Sequence, residues 1–179
     1  LVGWNERADA KTETAVFPEP LDPLHRAARE CADLSGEDFY DCHGHFGMAN
    51  QRHVVIDSPK GLLAEMDRTG VRTVCVFHWM AGGDVRRAND VTFQAVRDFP
   101  DRYVGFTIVN PNHGEREAKE ELERGLRHGM SGVKMVSSIH RYPDDGPVID
   151  QACRFADEHG LFFLNHTWGS VENMRRKVE

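Results

Sequence analysis

The sequence predicts a parallel α/β fold, a (β/α)8 barrel truncated after about five βα units, and three observations predict it. Short apolar runs begin near Phe39, Val71, Tyr103, Gly132 and Leu161, about 30 residues apart. Helix-like apolar stripes fill the gaps, and histidines stand at the ends of the first and last runs. Strand and helix in regular alternation indicate a parallel sheet. Such units fit a doubly wound open sheet or the first part of a closed barrel. The histidines favour the barrel. In a closed eight-stranded sheet, strands 1 and 5 face each other across a bore just wide enough for side chains, whereas an open layer holds them apart.

Each element has a local reason. Val71–Phe77 and Leu161–Leu164 are apolar on both faces, as strands of a covered parallel sheet are. The first helix opens at Ser58-Pro59, a cap followed by a proline, carries Leu62, Leu63 and Met66, and closes at Gly70. Ala88, Thr92, Ala95, Val96 and Phe99 form the second stripe, stopped by Pro100. Ala118, Leu122 and Leu126 form the third, ending near Gly129, and Ile149, Ala152, Cys153 and Ala156 the fourth, ending at Gly160. Residues 1–37 break the rhythm: Pro18, Pro20 and Pro23 precede a short helix expected over Leu24–Ala32. They read as an N-terminal extension, with residues 38–179 as the barrel segment. The chain starts at Leu1 and stops at Glu179 inside a polar, helix-like stretch from Glu172, so it reads as a fragment.

Composition narrows the function classes. The 179 residues are 40% hydrophobic, which suffices for one cored domain. A net charge of −7, with basic residues clustered only at Arg86-Arg87 and Arg175-Arg176-Lys177, argues against nucleic acid as partner. The apolar runs fall short of the roughly 20 residues that span a bilayer. Cys31, Cys42, Cys75 and Cys153 lack paired spacing and read as small core residues of a reducing, cytoplasmic compartment. A small-molecule substrate is the expected partner.

The motif that carries chemistry is Asp41-Cys42-His43-Gly44-His45, which closes the first strand. Alternate strand residues share a face, so His43 and His45 project together. With His166 at the end of the fifth strand they form a plausible three-imidazole metal site.

Taken with Pro100–Phe106, Asn110-Pro111, Gly132-Val133-Lys134 and Asn165-His166-Thr167, this motif resembles the amidohydrolase-related (amidohydrolase 2) branch of the amidohydrolase superfamily. That branch includes aminocarboxymuconate-semialdehyde decarboxylase and related decarboxylases, hydratases and hydrolases. The resemblance spans about residues 38–170 and implies a TIM-barrel-like metal-dependent hydrolase fold holding one divalent metal, usually zinc, at the barrel mouth. It assigns His43, His45 and His166 as metal ligands; the family's further histidine and aspartate, from strands 6 and 8, have no counterpart in this chain. The implied chemistry is hydrolysis of an amide or lactone-like bond, or decarboxylation (a lyase reaction) of a small carboxylic acid.

Other residues follow from the strand ends. Asp41 shares the parity of the histidines and is expected either to support the metal or to cap a neighbouring backbone group. Lys134 ends strand 4 and is a candidate catalytic group, or else pairs with a carboxylate. His78 and Trp79 after strand 2, Asn110 after strand 3, and His140 and Arg141 in the loop after strand 4 are candidate substrate contacts. Trp168 and Gly169 suit a pocket rim. His25, His53, His113, His128 and His159 are expected to be solvated. Two competing readings stand beside the enzyme: a catalytically incomplete metal-binding half barrel whose exposed sheet edges favour a homodimer, and a TatD-type phosphodiesterase. The latter is disfavoured because Lys134 occupies the region where such enzymes carry a glutamate.

Overall fold

A computed structural model describes residues 22–30, 36–47, 56–79 and 83–167. The chain divides into two compact units, Leu1–Gly36 and Glu37–Glu179. In the first, helix α1 spans Pro23–Arg29, where the sequence predicts a helix over Leu24–Ala32; Cys31 and Ala32 lie outside the described residues. Asp22 caps α1 by accepting the backbone N–H of His25 at 2.7 Å.

The second unit runs β1 (Phe39–Phe46), α2 (Pro59–Thr69), β2 (Val71–His78), α3 (Val85–Asp98), β3 (Tyr103–Val109), a 3-10 turn (Pro111–His113), α4 (Glu115–Arg127), β4 (Gly132–Met135), α5 (Ser137–His140), α6 (Pro147–Glu158) and β5 (Phe162–Asn165). The strands lie in sequence order and every pair is parallel. The sheet curls into half of a barrel with helices outside, the architecture of a truncated (β/α)8 fold. Of the C-terminal expectations, Trp168, Gly169 and the stretch from Glu172 lie outside the described residues, as does His53.

The expected punctuation recurs in atomic detail. Ser58 caps α2 by accepting the Gly61 N–H at 3.2 Å, and Gly70 ends it at φ 75°, donating its N–H to Met66. Outer core layers form where α2 and α3 meet β1–β3 (Phe46, Leu62, Met66, Val74, Val76, Ala95) and where α4 and α6 meet β3–β4 (Val109, Leu122, Val133, Met135, Ile149, Ala152). Phe77, Phe106, Ile108 and Val136 share a third cluster with Leu164 at its margin. The side chains of α4 and β3 leave no gap: a Cβ on Gly125 would stand 1.8 Å from Thr107 Oγ1.

Two departures from regularity shape the mouth. First, β1 carries a bulge between Asp41 and Gly44, because Asp41 pairs with Val74 while Gly44 pairs with Val76. An extra residue in one strand breaks strict alternation. Asp41 therefore pairs with Val74, a residue of the helix-facing core, whereas His45 pairs with Phe77. Second, β2 pairs with β3 only through Gly105. Beyond it, α3 replaces the missing strand contacts. Asn89 accepts the Ile108 N–H and donates to the Ile108 carbonyl, both at 2.8 Å, and the Thr92 hydroxyl accepts the His78 N–H at 3.1 Å. Buried backbone groups need such partners; two polar residues of the helix supply them. Asn89 also donates to Glu121 at 2.7 Å, and Glu121 joins Arg124 and Asp90 in an ion network binding α3 to α4.

Candidate metal and ligand site

His43, His45, Phe77, Trp79, Lys134, Val136, Ile139 and His166 line one cavity of about 160 Å³ at the C-terminal ends of the strands. In barrels this is the end where chemistry is placed. Strands far apart in sequence thus bring the three predicted imidazoles to one hollow. Their rings are held by different means. The His43 and His45 centroids stand 4.8 Å apart, edge to face, and His45 also packs on Phe77 (4.4 Å) and Trp79 (4.3 Å). Trp79 is fixed by its backbone N–H, which donates to the Phe46 carbonyl at 2.8 Å. His166 extends the β5 ladder, donating its N–H to Met135 at 2.9 Å and accepting from Ser138 at 3.2 Å. The preceding Asn165 accepts the Ser137 hydroxyl and donates to buried Asp144, tying β5 to α5 and the loop behind it.

The electrostatics prepare the rings to act as neutral donors. His45 Nδ1 lies 2.7 Å from the Gly44 carbonyl, which fixes the proton on Nδ1 and leaves the Nε2 lone pair as the ring's donor atom. Burial, then the neighbouring His43, lower the His45 pKa to about 4. Burial and then Lys134 lower that of His43. Lys134 itself is buried at 1% exposure, its ammonium 5.0 Å over the Phe77 ring, and burial lowers its pKa to about 8.

The donor chemistry suits a divalent ion, because three nitrogen ligands able to bind neutral are what such a site requires. The spacing is open: among the described residues no three His, Cys, Asp or Glu side chains stand close enough to hold an ion as they are.

Other predicted residues fall elsewhere. Asp41 is exposed and accepts the His43 N–H at 2.8 Å, so its carboxylate caps the bulge. It lies off the cavity lining because the bulge shifts its parity. His78 is half-buried on the opposite side of β2, edge-on to Phe46, with burial and Arg87 lowering its pKa. Asn110 caps the 3-10 turn by accepting the Asn112 N–H at 3.0 Å. It lines a larger hollow of about 530 Å³ between α3 and α4. That hollow mixes Arg86 and Arg116 with Glu117, Glu120 and Glu121. It holds none of the paired imidazoles, so the smaller cavity is the better candidate despite its size. His140 and Arg141 do not sit in an open loop: His140 ends the one-turn helix α5, buried, and Arg141 follows in the left-handed region at φ 51°. Neither lines the cavity. Of the histidines expected to be solvated, His113, His128 and His159 are exposed, with His128 stacking one face on Phe93 and His159 on Phe155.

Sequence reasoning missed Phe77, Val136 and Ile139. Phe77 was findable, since it precedes Trp79 by two residues and so shares its face. Ile139 depends on a helix of four residues, too short to leave a periodic signal.

The amidohydrolase family model matches residues 40–177 of the chain. No curated protein matches the sequence significantly. Solved structures share its fold at low identity. One is 5-carboxyvanillate decarboxylase from Novosphingobium aromaticivorans with bound manganese and 3-methoxy-4-hydroxy-5-nitrobenzoic acid: 19% identity, TM-score 0.60, covering 73% of this chain and 51% of that one. A second is 2,6-dihydroxybenzoate decarboxylase from Rhizobium, at 19% identity and TM-score 0.60, covering 79% and 53%. A third is dihydroxybenzoic acid decarboxylase from Polaromonas with manganese and 2-nitroresorcinol, at 17% identity and TM-score 0.53, covering 78% and 52%. The chain spans about half the length of these structures.

Proposed function

Since the chain belongs to the amidohydrolase family, we propose that it holds one divalent metal ion on His43, His45 and His166 and serves metal-dependent decarboxylation of a small carboxylic acid. The observation that carries this reading is the single cavity lined by those three imidazoles with Lys134 beside them. Bound there, the ion would supply Lewis-acid polarisation of a ligand carbonyl or carboxyl oxygen.

The protein's own groups do the rest. His45 offers Nε2 because Gly44 holds Nδ1. Asp41 fixes the bulge that sets the His43 backbone. Phe77, Trp79, Val136 and Ile139 give the cavity apolar walls, which suit a flat ligand body. Lys134 brings the formal charge to this lining. Three nitrogen donors suit zinc, while the decarboxylases from Novosphingobium and Polaromonas were solved with manganese. Metal analysis of the purified protein separates these.

The test is release of CO2 from a panel of hydroxybenzoic acids, with and without chelator. The expected result is metal-dependent turnover that His43→Ala abolishes; turnover unchanged by chelation contradicts the proposal. Hydrolysis is the alternative reaction on the same site, and a panel of amides and lactones assays it in parallel. A second reading, a non-catalytic metal-binding half barrel, is favoured by the unclosed spacing of the imidazoles. Stoichiometric metal uptake without turnover on either panel would support it.

A further inference from the structure

The side chain of Lys134 raises a question that metal binding leaves unanswered. Its Nζ is buried and has no hydrogen-bond acceptor among the described residues, and its one close neighbour of opposite character is the face of Phe77. An ammonium carries three donors and no acceptor, and leaving them unmade in the interior is costly. Buried cations are normally paired, yet the described lining of this cavity contains no carboxylate. His43, His45 and His166 cannot neutralise it, and a dication among them would add to the positive charge. Among the described residues the cavity therefore lacks an anion.

We propose that Lys134 Nζ is the seat of an anionic oxygen of the ligand, a carboxylate subsite that works separately from the imidazole donors. Register supports the placement. Lys134 pairs with Ile108 on β3 and Leu164 on β5, two residues of the apolar inner cluster. The head group thus emerges from an apolar floor, where a charge-assisted hydrogen bond is stronger than in water. The apolar walls beside it receive the ligand's uncharged body. The ligand class is a small monocarboxylate with a flat apolar body; an inorganic oxyanion shares the recognised group. This rests on the reading of the cavity as the ligand site, but not on the presence of metal.

The experiment is calorimetric titration of the chelator-treated protein with benzoate, with benzamide as the neutral isostere and with nitrate as the bare oxyanion. Wild type should bind benzoate more tightly than benzamide by roughly tenfold or more, the size of one charge-assisted hydrogen bond. In Lys134→Met the preference should vanish, while thermal unfolding is not lowered, because an unpaired buried charge has been replaced by an apolar chain of similar length. Nitrate competing with benzoate identifies the seat as one for oxyanions in general and supports it equally. Benzoate and benzamide binding alike to wild type, or a benzoate preference that survives in Lys134→Met, overturns the inference. A protein that takes up no metal yet shows the Lys134-dependent preference would refute the proposed metal site and leave the anion seat standing.

Discussion

At the scale of single residues, His45 shows how a backbone contact prepares chemistry. The Gly44 carbonyl accepts a hydrogen bond from Nδ1–H, and the aromatic walls of Phe77 and Trp79 remove water from the ring. Burial makes the charged imidazolium unfavourable, so the folded pKa lies at about 4, below the ordinary 6.5. The unfolded chain therefore binds the extra proton first as pH falls, and stability contributed by the neutral ring is present above about pH 6.5 and lost toward pH 4. Urea unfolding of metal-free protein at pH 7 and pH 4.5 measures this. The wild-type midpoint should fall more between the two than that of His45→Gln; parallel behaviour would show that the ring is not held neutral by the fold.

Among elements, α3 decides the shape of the mouth. It inserts Asn89 and Thr92 where β2 and β3 part, and the freed ends of β2 carry Phe77 and Trp79 into the cavity wall. Asn89→Ala would orphan the Ile108 N–H and carbonyl and remove a partner of Glu121. The expected loss is about 2–4 kcal/mol, read from urea unfolding, and a loss under about 0.5 kcal/mol, the range of ordinary surface changes, would mean the splayed strands find other partners. Gly125→Ala tests the seat of α4 against β3: a Cβ there meets Thr107 Oγ1 at 1.8 Å, and overpacking of this kind costs about 1–3 kcal/mol. The apolar stripes, Ser58-Pro59, Gly70 and the five strand starts were legible in the sequence because each follows from periodicity or a terminal residue's own chemistry. Asn89 was not, since a polar residue beside an apolar stripe reads as solvated until the strands it serves are known to diverge. The bulge at Asp41–Gly44 was equally silent: counting by twos placed Asp41 with the histidines, and the extra residue moved it away. His43, His45, Lys134 and His166 came together because strand ends in a curled parallel sheet converge whatever the loops do. His78 did not, because strand alternation turns it to the other side of β2 from Phe77, and Asn110, His140 and Arg141 did not, because loop and cap geometry governs them.

For the molecule as a whole, the curled sheet leaves β1 and β5 with one unpaired side each among the described residues. Tyr40 on β1 and Phe162 on β5 are large apolar side chains at 61% and 65% exposure. Unpaired strand edges with exposed apolar residues invite association. The sheet should therefore self-associate as concentration rises, and Phe162→Lys should weaken that association, a charge on an edge strand being the usual deterrent. Light scattering after size exclusion measures both, and a wild type monomeric across a wide concentration range contradicts the expectation. No helix among the described residues is long and apolar enough to cross a membrane.

The centre of the account is the convergence of three imidazoles on one ion, and anomalous diffraction from crystals grown with manganese or zinc tests it most directly. The account predicts a single peak in the cavity about 2.0–2.2 Å from a ring nitrogen of each of His43, His45 and His166, with the His45 contact through Nε2. A peak elsewhere, or one in the cavity that His166 does not touch, would contradict it.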